Sequence, residues 1–319
     1  MKFNRQKREE IITSKKKETW GQEIKRNWQL YLMLALPFIY IVVFKYYPMV
    51  GAQIAFRKYV PAFGIWGSKW VGLYQFERMF SHPIFWKALK NTITLSTYTL
   101  LLSIPIPIVL AICFEYARGK FFRKSVQMSA FLPHFLSTVI LVSLINLLFD
   151  NRTGVFIHII QNIFGAKVNV LGDAKFFRHL YVWSGIWQGA GWSSILYISA
   201  LSGVDTQIHE AAIIDGANKW RRIWHIDLPS IRPTIAIMTI MSMGSILSVG
   251  FDKTYMMQNP INYDYSEVLA TLEFSMGTAG SVPDYSFAAA IGLAVSVVSF
   301  VMVMITNKIS KTLSDNSLW

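Results

Sequence analysis

Residues 91–114 read NTITLSTYTLLLSIPIPIVLAICF, from Asn91 to Phe114, without one Asp, Glu, Lys or Arg. A bilayer core is crossed by about 20 consecutive apolar residues in a helix, and this run is long enough. Working outward, Ser125–Phe149 and Leu180–Val204 are equally free of these four residues, as are Pro233–Phe251 and Tyr285–Asn307. A shorter apolar stretch, Leu30–Tyr47, precedes them. Only 15% of the chain is charged, against about 25% in ordinary soluble domains. Backbone polar groups in lipid must be paired within their own segment, so each run is predicted to be a helix. The expected fold is therefore an all-α, polytopic membrane protein with six transmembrane helices. Pro105, Pro107 and Pro133 lie inside the second and third spans and predict kinks there.

Orientation follows from Lys and Arg. Nine of the 31 basic residues lie between Lys2 and Arg26, and Arg118, Lys120, Arg123 and Lys124 crowd the turn after the second span. The last long loop, Asp252–Asp284, has five acids and Lys253 alone as a base. The positive-inside tendency then puts both termini in the cytoplasm, with residues 1–29 as a basic arm beside anionic lipid and 30–319 as the membrane domain. The formal charge of +13 is read as this membrane-surface bias, and no nucleic-acid partner is expected. The apolar stretch Leu30–Phe44 runs into Lys45-Tyr46-Tyr47-Pro48 with no small-x-small cleavage site, so it is read as an uncleaved span. The loops 48–90, 150–179 and 252–284 are expected to cap the outer mouth with short helices.

The six histidines form no ligand-spaced pair, and the single Cys113 lies in an apolar run. No metal site and no catalytic residue are expected. An ion-coupled transporter buries ionisable groups along its path, whereas these spans hold no Asp, Glu or Arg and a single lysine, Lys45, at an end. A membrane enzyme needs a clustered acid, base or metal set, and none is visible.

The segment between spans four and five spends about 25 residues where a turn would suffice: VDTQIHEAAIIDGANKWRRIWHIDLP, Val204 to Pro229. It parses as two short helices. Asp205 suits an N-cap, Ile208, Ala211, Ala212 and Ile214 supply an apolar face, and Gly216 suits a left-handed C-terminal stop. The second helix runs from Asn218 towards Pro229, with Trp220, Ile223, Trp224 and Ile226 on one side. Lys219, Arg221 and Arg222 lie mostly on the other, as a membrane-surface anchor or as partner contacts. Such a knuckle suits docking into a groove of another protein and passing on its rigid-body motion.

Glu210-Ala211-Ala212, Asp215-Gly216-Ala217 and Leu228-Pro229 resemble the EAA loop of binding-protein-dependent ABC importer permeases. Thr206 stands where that family often has proline. The resemblance implies that 205–229 is a cytoplasmic coupling helix pair, with Glu210, Ala211, Ala212, Asp215, Gly216 and Ala217 meeting an ATPase dimer. It also implies a second permease subunit, in sugar importers usually a different chain, and an extracytoplasmic binding protein that delivers a carbohydrate. No Walker A pattern occurs in this chain, so ATP and Mg²⁺ belong to the partner ATPase and no cofactor is expected here. Tyr46-Tyr47-Pro48-Met49 and Gln53-Ile54-Ala55-Phe56 are similar to the oligosaccharide branch that handles pectin or alginate fragments.

Within the spans, Trp187, Gln188, Trp192 and Asn146 are candidate path residues, with His134 beside them. Aromatic faces stack on sugars and an amide reads hydroxyls. The alternative is bundle packing around Gly185, Gly189 and Gly191.

Overall fold

A computed structural model describes residues 20–165, 169–279 and 283–314 of the chain. They fall into two compact units that divide between Gln53 and Ile54. Most of the expected basic arm, residues 1–19, lies outside the described residues.

The first unit holds helix Trp20–Arg26 and α1, Trp28–Ile41. A π-helical turn at Val42–Tyr46 and a short helix at Tyr47–Met49 extend α1 into an apolar run. Its large side chains, from Leu30 to Phe44, are exposed, as a helix covered by lipid or another chain requires.

The second unit begins with a small antiparallel pairing, β1 (Arg57–Lys58) with β2 (Lys69–Trp70), a β element that the all-α expectation did not include. Then follow α2 (Tyr74–Ser81), α3 (Pro83–Ser103) and α4 (Pro105–Tyr116). Proline opens both α3 and α4, where a missing N–H is harmless. Pro105 interrupts the run at Ile104 alone, so 83–116 remains one long apolar helical segment.

The third expected span departs from a kinked rod. α5 (Lys120–Phe131) runs on through a 3₁₀ turn to Phe135 and meets α6 (Thr138–Leu148) at 102°. Pro133 ends the first piece, Leu136 is extended, and Ser137 caps the second by accepting from the Ile140 N–H. After α7 (Val155–Phe164) comes α8 (Phe176–Ser202), a helix of 27 residues. It packs on α3, α4 and α5, and its Phe177, Tyr181, Val182, Ile186 and Ala190 join Leu141, Ile145 and Val249 in the main core.

Next come α9 (Thr206–Ile214), α10 (Lys219–Arg222) and α11 (Arg232–Gly244). The fifth expected span, 233–251, is cut short here. α11 has 13 residues, about 20 Å at 1.5 Å per residue, which is less than a bilayer core. Gly244, Ser245 and Ser248 end it: Ser242 and Ser245 turn their hydroxyls onto helix carbonyls, and the chain continues in turns. α12 (Phe251–Met257), a single helical turn at Tyr263–Ser266 and α13 (Leu269–Phe274), prolonged by a π-helical turn at Ser275–Ala279, give the acidic 252–284 segment its helices, and α14 (Tyr285–Ser314) is the last described element. Asn91 on α3 clamps that segment, its amide donating to the Asp264 and Glu267 carbonyls at 2.9 Å, while Arg178 donates to its oxygen.

Among the described residues, three helical runs are long and apolar enough to cross a membrane, Trp28–Phe56, Pro83–Tyr116 and Tyr285–Lys311; the bent α5–α6 pair would be a fourth. α8 has the length, but its Trp, Ser, Gly and Gln content makes it less apolar and most of its partners are other helices.

Candidate functional site

The knuckle between α8 and α11 is built by its own capping chemistry. Asp205 accepts from the Gln207 N–H at 2.9 Å and starts α9. At the other end Gly216 takes φ +76°, the Ala217 N–H donates to the Ala212 carbonyl at 2.8 Å, and the Gly216 N–H donates to that of Ile213 at 3.0 Å. This is a Schellman stop, and Gly216 is the residue that permits it. Asn218 then caps α10, accepting from the Arg221 N–H at 2.9 Å. The expected second helix is less regular than its sequence suggests. α10 ends at Arg222, a π-helical turn spans Ile223–Asp227, and Leu228–Ser230 leads into α11.

Glu210, Ala211, Asp215 and Gly216 are exposed, and Ala212 and Ala217 half-buried. Around them stand exposed apolar side chains: Ile208, Ile213, Ile214, Trp220 and Trp224, with Ile214 85% accessible. An ordered element that displays this much apolar surface marks a site of contact with another protein or with the membrane.

What fastens the knuckle was not read from sequence. Asp227 is buried; its Oδ2 accepts from the Tyr116 hydroxyl at 2.7 Å, and its Oδ1 lies 3.3 Å from His209 Nε2. The Arg222 guanidinium lies over the Tyr116 ring at 5.5 Å. One carboxylate therefore joins α9, the end of α4 and the entry to α11. Beneath it, Ile108, Ala111, Tyr197, Leu201 and Ile231 form a separate buried cluster. Arg222, expected as an anchor or partner contact, is instead half-buried in this joint, while Lys219 and Arg221 remain exposed.

The path candidates do not share one cavity. Trp187 lines a cavity of about 520 Å³ with Leu144, Leu148, Phe156, Ile160 and Trp183; it is apolar almost throughout and offers little to hydroxyls. Gln188 donates to the Leu136 carbonyl at 2.8 Å, pairing the group freed by the α5–α6 break. Trp192 is stacked on His134, centroids 4.5 Å apart, on the same joint. Asn146 lines a small cavity with Asp173, Asn259 and Asn262.

Two further cavities, of about 230 and 210 Å³, meet at Thr99, Ser103 and Tyr181. The first also has Gln188, Ser193 and Lys253; the second has Ser96, Ser242, Ser245 and Ser248. Lys253 on α12 points back into the bundle, donating from Nζ to the Tyr181 carbonyl at 2.7 Å and lying 4.6 Å from that ring's centroid. Burial pushes its amine down to about 8. In the sequence it reads as an ordinary loop charge. Its position just beyond a 19-residue uncharged run was the available signal.

Comparison with known proteins follows the same lines. A family model described as "Binding-protein-dependent transport system inner membrane component" matches residues 30–315. Protein LplB of Bacillus subtilis (strain 168) is 38% identical over 310 residues, covering 97% of this chain and 96% of that protein. The polygalacturonan/rhamnogalacturonan transport system permease protein YteP of the same organism is 38% identical over 290 residues, covering 91% and 90%. Among solved structures, a bacterial ABC transporter involved in the import of the acidic polysaccharide alginate aligns with a TM-score of 0.85 at 35% identity, covering 93% of this chain and 100% of that one. The same type of transporter, solved in complex with an alginate pentasaccharide-bound periplasmic protein, gives 0.86.

Proposed function

The chain belongs to the family of binding-protein-dependent transport system inner membrane components, and from that premise we propose that it is the permease subunit of an ATP-driven importer of oligosaccharides. In this reading an extracytoplasmic binding protein delivers the sugar, and a second permease subunit completes the path. A partner ATPase dimer, which binds the ATP and Mg²⁺, drives it. The observation that carries the mechanism is the knuckle: a rigidly capped helix pair with exposed Ile213, Ile214, Trp220 and Trp224, seated on the buried Asp227. Glu210, Ala211, Ala212, Asp215, Gly216 and Ala217 lie on its elbow and form the contact to the ATPase. Motion of that partner passes through the Asp227 joint into α4 and α11.

Gly216→Pro tests this, because proline cannot take the positive φ of that position. The Glu210→Lys/Asp215→Lys pair reverses the elbow's charge. Both should leave the permease in the membrane, lower ATPase co-purification, and abolish substrate-stimulated hydrolysis and transport. Survival of both activities would show that the knuckle is not the coupling element.

We propose six spans with both termini cytoplasmic, α5–α6 being a broken third span, and α11 with the following turns a short fifth. In a Cys113→Ala background, a cysteine at Asp264 should react with an impermeant thiol reagent in intact cells, and one at Ile214 should not. The reverse labelling would invert the orientation. The sugar path runs beside α8: Gln188 lines a hydroxyl-rich cavity there, Trp187 and Asn146 line neighbouring ones, and Trp192 holds the broken span that forms one wall.

A further inference from the structure

We infer that Lys253 is the residue that reads the carboxylate of an acidic sugar as it passes the hydroxyl-lined cavities beside α8. The inference rests on the oligosaccharide-permease reading and deepens it by naming the residue that selects uronate-containing oligosaccharides over neutral ones.

The argument starts from cost. A cation withdrawn among packed helices is unfavourable unless it is paired or used. No ion pair joins Lys253 to a carboxylate among the described residues; the pairs on the outer side are Arg78 with Asp284 and Lys87 with Asp264. Its supports are neutral: the Tyr181 carbonyl, which takes one of the three N–H donors, and the Tyr181 ring. Further donors remain for a ligand. Nζ lies close against Gly185, where a Cβ would come within 3.2 Å of it.

The rest of the lining suits a sugar. Thr99, Ser103, Gln188 and Ser193 share the cavity with Lys253, and Ser96, Ser242, Ser245 and Ser248 continue it. No acid lines either cavity. A neutral glycan would be served by the hydroxyls alone. A desolvated ammonium among them favours a bound carboxylate, through a charge-assisted hydrogen bond.

The test uses the whole transporter, with its partner subunits and binding protein, in proteoliposomes. Uptake of tetragalacturonate, an alginate tetrasaccharide, the fully methyl-esterified tetragalacturonate and maltotetraose is compared for wild type, Lys253→Gln and Lys253→Arg. The binding protein's own preference is common to all three and cancels in the ratio between variants. The acid-to-ester uptake ratio should fall at least about tenfold in K253Q, the scale of one lost charge-assisted hydrogen bond, and be largely kept in K253R. Should K253Q fail to assemble, Gly185→Ala is read instead; it crowds Nζ without removing the charge and should lower the same ratio.

An unchanged ratio in an assembled variant overturns the inference, and so does an equal loss of both substrates. Wild-type uptake of maltotetraose alone would overturn it while leaving the permease reading intact. No uptake of any of the four would overturn both.

Discussion

Replacing Asp227 by Ala should loosen the knuckle from the membrane helices and uncouple ATP hydrolysis from transport. The carboxylate is buried and holds two elements that are distant in sequence, accepting from Tyr116 at 2.7 Å and facing His209 at 3.3 Å. A hydrogen bond to a charged group is worth about 1.5–3 kcal/mol, and its loss also leaves a desolvated partner behind. With roughly 2–4 °C of midpoint per kcal/mol for mid-sized domains, the purified complex should melt on the order of 5–10 °C lower. Tyr116→Phe removes only the donor of one bond and should cost less. In the double variant the two losses should not add, because they remove the same interaction. Function separates this joint from ordinary core. If Asp227 transmits motion, D227A complexes that still bind the ATPase should hydrolyse ATP with little transport. A variant with wild-type melting and wild-type transport per ATP would remove Asp227 from the mechanism.

This joint also marks where sequence reading stops. The second and sixth spans were plain because 24 and 23 uncharged residues, Asn91–Phe114 and Tyr285–Asn307, leave a helix in lipid as the physical solution. The knuckle was legible because its ends are local: Asp205, Gly216 and Asn218 cap with groups two to five residues away. Asp227 and Lys253 were not, since each looks like a solvated loop charge until distant helices cover it. A single Asp in a basic loop carries no sign that Tyr116, 111 positions earlier, points at it. The breaks fall between these cases. Pro133 announced an interruption, but the 102° turn depends on Ser137 capping α6 and on Gln188 taking the Leu136 carbonyl. The early end of α11 was hidden because 233–251 is uniformly uncharged, and hydropathy does not register hydroxyls that compete for the backbone. The path candidates showed the same limit. Trp187, Gln188, Trp192 and Asn146 were grouped by chemistry, and packing distributed them over separate surfaces.

The glycines of α8 allow the packing and flexibility accounts of that helix to be told apart. Gly191→Ala should disrupt the bundle, while Gly189→Ala, two residues away, should leave its assembly intact. A Cβ on Gly191 would overlap the backbone carbonyl of Ala130 on α5, whereas one on Gly189 meets nothing within 4 Å. Backbone cannot swing aside as a side-chain tip can, so α5 and α8 would have to part. Overpacking of this kind costs about 1–3 kcal/mol and sometimes more. Separation would also strain the Gln188–Leu136 bond and the Trp192–His134 stack, which cross the same interface. Gly189→Ala loses nothing in packing and gains up to about 1 kcal/mol of helix propensity. The measurement is the yield and thermal midpoint of assembled complex for each variant, alongside transport. If α8 instead needs its glycines for bending during the transport cycle, both substitutions should assemble normally and both should slow transport. A lower midpoint for G191A alone, with G189A at or above wild type, would establish that this face of α8 is glycine because α5 leaves no room for a methyl group.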